Sequence, residues 1–372
     1  MKHSGLSILL LLICVSVFAQ INNKAFEQRM TVSQADSGKL FLGINFLGFG
    51  KNNEWFDTIV DGYTLFGYQF NPYLSYHLAK NVRLDAGVYA QKDFGNNDYS
   101  DISPTLSLKI TKHNFSFIFG TLEGSVHHRL IEPLYDFERV LNNRLENGLQ
   151  LLLMEDDFFA DMWIDWQNMI YFNDTEPERF TFGISADKTL FRNNGFRIGL
   201  PIQFVVSHQG GQIDTVNNPV ITAYNGATGL TLEVESAGFV SAWGLKSYLT
   251  IYNTPSDQLP YKEGRGVFIN PYVTTKFGLT LMGSYWRANK FLTVQGGDLY
   301  PSINEKYPTR VDEKRDLFML RLLYDVKITD GLILTARAEP FYDTYAGTLE
   351  YSYGIYLNFS DRFFLLNAKK SR

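Results

Sequence analysis

The sequence predicts an all-β fold, a transmembrane antiparallel up-and-down β-barrel of about sixteen strands. Three observations indicate this class. Segments with a period of two recur along the chain, short and long polar connections alternate between them, and there are 30 Phe, 22 Tyr and 5 Trp. A period of two is the repeat of a strand, and many aromatic residues suit a barrel that meets two membrane interfaces. Barrels of fourteen or eighteen strands and a soluble β-sandwich remain alternatives.

The N-terminal segment has the pattern of a secretory signal peptide. Lys2 precedes an apolar run from Leu6 to Phe18. This run is shorter than the roughly 20 residues of a membrane-spanning helix. We therefore expect residues 1–19 to be removed and residues 20–38 to form a periplasmic lead-in.

Composition and charge exclude several classes of function. Cys14 is the only cysteine and lies in the apolar run, so the mature chain would have no thiol chemistry. The formal net charge is −5 and there is no basic domain, which argues against nucleic acid as a partner. No later stretch approaches the length of a spanning helix, so a membrane would be crossed by strands.

The connections between the strands come in two alternating sizes. Short ones lie at Lys80-Asn81, Lys112 to Asn114, Asp156-Asp157, Arg192 to Gly195, Ala237-Gly238, Phe277-Gly278 and Asp330-Gly331. Longer polar ones lie at Lys51 to Gly62, Gly95 to Ser100, His127 to Glu146, Asn173 to Glu178, Gln209 to Ala227, Asn253 to Gly264, Ala288 to Lys314 and Asp343 to Thr348. Several short ones carry Asn, Asp or Gly, which tolerate the positive φ of tight hairpins. Turns at one end and loops at the other are typical of an outer-membrane barrel with both termini in the periplasm.

The polar faces of the strands supply the residues that we expect to line a lumen. A charge facing lipid costs about 2–4 kcal/mol at the bilayer midplane, so charged positions should face inward. The expected lumen residues are Arg83, Asp85, Trp163, Asp165, Gln167, Arg197, Arg321, Arg337 and Glu339. Their mixed sign predicts weak ion selectivity. Trp163 beside Asp165 and Gln167 is also a pattern that binds sugars, although ordinary lumen polarity explains it as well.

The longest loop with a regular pattern is His127 to Glu146. Apolar residues recur at three to four positions between Leu130 and Leu145, which predicts a short amphipathic helix. This helix would either fold into the barrel and narrow it or cap its mouth. His127, His128, Glu132 and Asp136 lie at its start, but their spacing is unlike a metal motif. We predict neither a metal site nor a cofactor.

Ser75 and His77 are the one candidate for hydrolytic chemistry that the sequence offers. They lie two residues apart and therefore on one face of a strand. No orienting acid is identifiable nearby, and the chain has no GxSxG motif. The prediction is that the protein is not an enzyme.

The last predicted strand, Leu349 to Phe359, alternates fully between apolar and mostly polar positions. Ser352, Gly354, Leu357 and Phe359 resemble the C-terminal signal of bacterial outer-membrane β-barrels. The resemblance implies recognition by the barrel-assembly machinery, contact with the lipid of a Gram-negative outer membrane, and pairing of the last strand with the first. We expect the barrel at residues 39–359 and a periplasmic tail at residues 360–372.

These features together predict a porin-like channel. Since about sixteen strands enclose an aqueous lumen, the expected function is passive passage of small hydrophilic solutes or saccharides. A plugged barrel whose surface loops bind a glycan or a protein partner is the alternative. A barrel hydrolase is less favoured.

Overall fold

The computed structural model describes residues 23–56, 59–211, 213, 218–307 and 309–368. These residues form one closed barrel of sixteen antiparallel strands, which confirms the predicted fold class. The strands are β1 (Lys39–Glu54), β2 (Thr64–Ala79), β3 (Val82–Asp93), β4 (Asp101–Lys112), β5 (Phe115–Thr121), β6 (Asn147–Met154), β7 (Phe158–Asn168), β8 (Glu178–Asn193), β9 (Phe196–Gly210), β10 (Ile221–Glu235), β11 (Val240–Asn253), β12 (Glu263–Thr275), β13 (Leu279–Asn289), β14 (Lys314–Thr329), β15 (Leu332–Asp343) and β16 (Thr348–Asn367). The predicted signal peptide at residues 1–19 lies outside the described residues.

Each strand pairs with its neighbours in sequence, and β1 pairs with β16 to close the barrel. Phe46 on β1 lies opposite Phe359 on β16. The last strand is longer than predicted, because residues 360–367 continue to pair with the first half of β1. The boundary at residue 359 was therefore placed too early.

Alternate side chains of a strand face the lumen and the outside, as the period of two predicts. On β16, Tyr353 faces outward and is 51% exposed, whereas Tyr356 faces the lumen and is 1% exposed. Glu350 and Asn358 are buried on the same inner face. The outer face is apolar and is the surface that meets lipid.

Short turns and long loops lie at opposite ends, which we call the turn end and the loop end. Asn194 and Gly195 join β8 to β9 with φ values of 46° and 80°. Such left-handed backbone is tolerated by Asn and Gly. The short turns thus hold consecutive strands side by side as antiparallel hairpins.

Three segments of the chain fill the lumen. We call them the N-terminal segment (23–38), the plug loop (122–146) and the cover loop (290–307 and 309–313). Residues 20–38 were predicted to be a periplasmic lead-in, but the described part packs inside the barrel. Phe26 is 0% exposed, and its ring meets that of Tyr356 on β16 at 5.1 Å.

The plug loop does not form the predicted amphipathic helix. It contains only a 3₁₀ turn at Ser125–His128 and one helical turn, α1, at Arg139–Asn142. Arg129 has a left-handed φ of 54°, which ends the first turn. The side chain of Gln203 on β9 then accepts from the N–H of Ile131 and donates to the carbonyl of Arg129, both at 2.9 Å. Contacts with the barrel wall thus replace helical hydrogen bonds.

The plug loop folds into the barrel, which was one of its two predicted placements. Four of the five apolar residues that suggested a helix are buried in the lumen, namely Leu130, Leu134, Phe137 and Leu141, and the fifth, Leu145, is partly buried. No helix in the described ranges is long and apolar enough to cross a membrane.

The cover loop lies over the plug loop at the loop end. Trp286 on β13 donates its indole N–H to the carbonyl of Tyr300 at 3.0 Å. Arg315 on β14 donates to the carbonyl of Pro301 at 2.9 Å. These bonds run from the wall to the loop and hold it in place.

Candidate functional site

Most of the predicted lumen residues face inward and are buried. Arg83, Asp85, Trp163, Asp165, Arg197, Arg321 and Arg337 are at most 8% exposed. Glu339 also faces inward, and Gln167 lies at the exposed loop end of β7. These side chains contact one another and the filling segments, so they hold the interior together.

Arg321 joins the barrel wall to the plug loop. Its guanidinium forms ion pairs with Glu132 of the plug loop and with Glu339 on β15. It also donates to the hydroxyl of Tyr300 in the cover loop at 2.9 Å. Two predicted lumen residues and one predicted loop residue therefore meet in one buried cluster.

Two other arginines have similar structural roles. Arg83 forms two bonds to Asp85, at 2.8 and 2.7 Å, and donates to the carbonyl of Thr31 in the N-terminal segment. Arg337 lies over the ring of Phe137 at 4.1 Å. Such pairs satisfy charges that would be costly to bury alone.

His128 is held between two carboxylates in the middle of the lumen. Its Nδ1 donates to Asp161 at 2.8 Å and its Nε2 to Glu146 at 2.6 Å. Burial alone would lower the pKa of His128, but these two carboxylates raise it to about 9. The ring is therefore an imidazolium at neutral pH and does not act as a general base.

Trp163 lies flat against His128, with ring centroids 3.6 Å apart. This contact covers the indole face that the sequence offered to a sugar. Asp165 accepts from the N–H of Asn147 at 2.8 Å and from Gln167 at 3.1 Å. The three residues predicted as a sugar site are thus bound to the protein itself.

His127 and Asp136 complete the predicted loop cluster, but they lie apart from His128's carboxylates. His127 accepts from the N–H of Gln28 at 3.0 Å, and burial lowers its pKa well below the ordinary value. Burial, with a contribution from Glu138, raises the pKa of Asp136 to about 8. His/Asp/Glu groups able to hold a metal are absent from the described part of the chain.

Ser75 and His77 face the lumen near the turn end and are both 0% exposed. Their side chains are not hydrogen-bonded to each other: Nε2 of His77 contacts Arg362, and the hydroxyl of Ser75 has no partner among the described residues. A membrane lipid cannot reach this pair. The hydrolytic site considered from the sequence is therefore not supported at these positions.

Little free space remains between the filling segments and the wall. A polar cavity of about 90 Å³ lies beside β1 to β4 and includes Asn71, Thr105 and Ser107 in its lining. A second cavity, of about 60 Å³, lies between the plug loop and the cover loop. Both are far smaller than the ligand pockets of about 300–1,000 Å³ that bind drug-sized molecules. A larger, open cleft of about 600 Å³ lies at the loop end and is lined by residues 310–315 with Asp343, Tyr345 and Ala346.

A row of aromatic and polar side chains crosses the outer face near the loop end. Trp166, Phe180, His208 and Thr222 lie opposite one another on β7, β8, β9 and β10. The rings of Trp166 and Phe180 stack at 5.2 Å, and those of Phe180 and His208 at 4.9 Å. Nδ1 of His208 lies 2.8 Å from Oγ1 of Thr222. We call these four residues the rim row.

Sequence reasoning did not single out His208 or Thr222. The sequence did indicate that His208 faces outward. Alternate residues from Phe196 to Val206 form the apolar outer face of β9, and His208 is the next residue in that series. Thr222 gave no such signal. It lies beside His208 only through the pairing of β9 with β10, which cannot be read from the sequence.

Comparison with known proteins identifies the family. A family model described as "Lipid A 3′-O-deacylase-type" matches residues 32–368. This chain belongs to that family. A search of curated proteins gave no significant match.

Solved structures show the same fold at low sequence identity. OprD of Pseudomonas aeruginosa, an outer membrane protein, is 10% identical with a TM-score of 0.52, over 90% of this chain and 99% of OprD. The anion-selective porin from Comamonas acidovorans is 8% identical with a TM-score of 0.51, over 86% of this chain and 98% of the porin. The barrel thus has the fold of bacterial outer-membrane porins.

The deacylase-type family corrects one prediction from the sequence. The chain was expected not to be an enzyme, but the family is named for an enzyme activity. That expectation is wrong. It depended on finding no recognisable catalytic motif, and in a barrel the residues of a site come together through strand register, which a linear motif does not capture.

Proposed function

We propose that this protein is an outer-membrane ester hydrolase that removes an acyl chain from a lipid A-type glycolipid. The observation that carries the proposal is the contact between His208 and Thr222 at 2.8 Å on the outer face. The family match supports the reaction type. The loop end would face the outer leaflet, so the rim row would lie at the depth of lipid headgroups.

The chemistry follows from a hydroxyl beside an imidazole. His208 takes the proton of Thr222, and Thr222 Oγ1 attacks the ester carbonyl of the lipid to form an acyl-enzyme. His208 then gives its proton to the departing sugar oxygen. Water, activated by the same imidazole, releases the fatty acid and restores Thr222. The ring stack from Trp166 to His208 holds the imidazole in place.

The filled lumen also favours a site on the outer face. The cavities of about 90 and 60 Å³ beside the plug loop are too small for an acylated sugar, and the larger cleft of about 600 Å³ lies at the loop end rather than inside the barrel. A lipid ester can approach the rim row from the bilayer without entering the barrel. Its acyl chain would lie along the apolar outer face of β8 to β10.

The test is release of fatty acid from lipid A in vesicles that contain the folded protein. His208→Gln and Thr222→Val should each lower the rate about 100-fold or more, because both steps of the reaction need them. Thr228→Val is the matched control, since Thr228 is exposed on the same strand. Unchanged rates in both variants would remove these residues from the reaction.

A second candidate function is passive passage of small hydrophilic solutes. The observation that favours it is the polar cavity beside β1 to β4. Some residues that line this cavity are only half-buried, so water can reach it. Thr105→Trp would fill this crevice. Small conductance steps in planar bilayers that disappear in this variant would support passage, and a silent wild-type barrel would exclude it.

A further inference from the structure

Three cations cluster on the outer face of the barrel at the loop end of β12, β13 and β14. Arg265, Arg287 and Lys314 are all exposed. The positions next to them along the strands point into the lumen: Gly266, Trp286, Ala288 and Arg315 are buried. Strand alternation therefore directs the three cations outward, toward the membrane interface.

The register brings these cations together. Arg265 lies opposite Asn289, and Asn289 lies opposite Lys314 on its other side. Arg287 is two residues from Asn289 on the same face and opposite Asp316. All three side chains therefore surround one patch, which we call the cationic rim.

The protein neutralises the cationic rim only in part. Among the described residues, none of the three cations forms a salt bridge, and Arg265 and Lys314 also form no side-chain hydrogen bond. Arg287 is hydrogen-bonded to Tyr285 and is attracted by the carboxylate of Asp316. The acids on this face are Glu263 and Asp316, and Asp316 accepts from the hydroxyl of Tyr285 at 3.4 Å. Glu313 beside the patch pairs with Lys290. A net positive charge remains at a position where headgroups would lie.

The surroundings of Arg287 fit an amphiphilic ligand. The rings of Tyr285 and Phe318 stack at 4.7 Å on the same outer face. Leu249 and Ile251 on β11 are 63% and 56% exposed on that face. An anionic group at the arginines would thus lie above an apolar surface suited to acyl chains.

We propose that the cationic rim binds the phosphate groups of a phosphorylated glycolipid in the leaflet at the loop end. The inference rests on the proposed function for its substrate class. Register places Arg265 opposite Ile251 and Ile251 opposite Gly226, so Arg265 lies two strands across the sheet and four residues along it from Thr222, about 16 Å at the usual strand spacing and rise. A disaccharide headgroup that spans this distance would contact the cationic rim at Arg265 while its ester lies at Thr222. Guanidinium groups favour phosphate because they donate two parallel hydrogen bonds.

The test compares binding of phosphorylated and dephosphorylated lipid A by the purified barrel in detergent. Wild type should prefer the phosphorylated lipid, and the triple variant Arg265→Gln, Arg287→Gln, Lys314→Gln should lose this preference by about tenfold or more. Binding of the dephosphorylated lipid should not change. The matched control is Lys188→Gln with Arg192→Gln, which removes two exposed cations at the turn end.

Because the three positions are exposed, the variant should fold, and its heat-dependent gel mobility checks this. Equal preference in wild type and triple variant would overturn the inference, as would an equal loss in the turn-end control. Inorganic phosphate that binds as well as the lipid phosphate would also overturn it, because the site would then not be a lipid site.

The two proposals are separated by His208→Gln, which should lose hydrolysis and keep the preference for the phosphorylated lipid. A barrel that never hydrolyses but keeps the preference contradicts the proposed function alone.

Discussion

At the scale of single residues, the environment of His128 explains how the plug loop stays in the lumen. Its two ring nitrogens bind carboxylates from different elements, Glu146 at the end of the loop and Asp161 on β7. Side-chain exposure is 0% for all three residues. A buried positive ring between two acids ties the loop to the wall in a way that a neutral side chain cannot.

His128→Gln should therefore destabilise the barrel, by about 3–5 kcal/mol, because it leaves two buried carboxylates without a cation. The pH dependence follows from the raised pKa of about 9. The contribution of His128 is complete below its ordinary pKa of 6.5 and is lost as the pH rises through about 9. Urea unfolding in vesicles, followed by tryptophan fluorescence at pH 6 and pH 9.5, measures both effects.

The control for this experiment is His113→Asn in the exposed turn between β4 and β5, where His113 has a φ of 55°. Asn tolerates that conformation, so this variant should match wild type. A pH effect that is as large in His128→Gln as in wild type would show that another group causes it.

At the scale of elements, the N-terminal segment behaves as part of the core although its sequence is mostly polar. Phe26 packs against Phe137 of the plug loop at 5.1 Å, and Arg337 lies over its ring at 4.8 Å. Asn23 accepts from Arg337 at 2.7 Å. One aromatic side chain thus joins the segment, the loop and the wall.

Phe26→Ala should weaken the docking of the N-terminal segment by about 3–5 kcal/mol, because it leaves a cavity beside the rings of Phe137 and Tyr356. Hydrogen exchange of residues 23–38 in the folded barrel reports this docking. Gln34→Ala is the control, since Gln34 is exposed in the same segment. Slow exchange that persists in Phe26→Ala would mean that other contacts hold the segment.

The elements also show which features could be predicted from sequence. Strand positions and their inward faces were accessible because alternation and turn residues are local signals, as at Asn194-Gly195. The filling of the lumen was not, because Phe26 stands alone in a polar stretch and its burial depends on Tyr356, more than 300 residues away. The plug loop showed a helical period, but Gln203 on a distant strand satisfies its backbone instead. His208 and Thr222 meet through register alone.

At the scale of the whole molecule, the barrel wall has sixteen strands, as in a channel, but the interior is packed with side chains as in the core of a soluble domain. A barrel of about sixteen strands encloses an aqueous lumen when it is empty. Here that space is occupied by the N-terminal segment, the plug loop and the cover loop, and several wall charges pair with them. The wall alone therefore does not determine whether solutes pass.

Replacement of residues 125–143 by a short Gly/Ser linker should convert the barrel into a conducting pore. The change removes the centre of the filling and frees Arg321 and Gln203 to face water, whereas β5 and β6 keep their pairing. Single-channel recording in planar bilayers should show steps several-fold larger than any from wild type. Shortening the exposed residues 95–99 between β3 and β4 is the control and should leave conductance unchanged. A silent variant with a normal folded gel shift would mean that the N-terminal segment and the cover loop close the barrel without the plug loop.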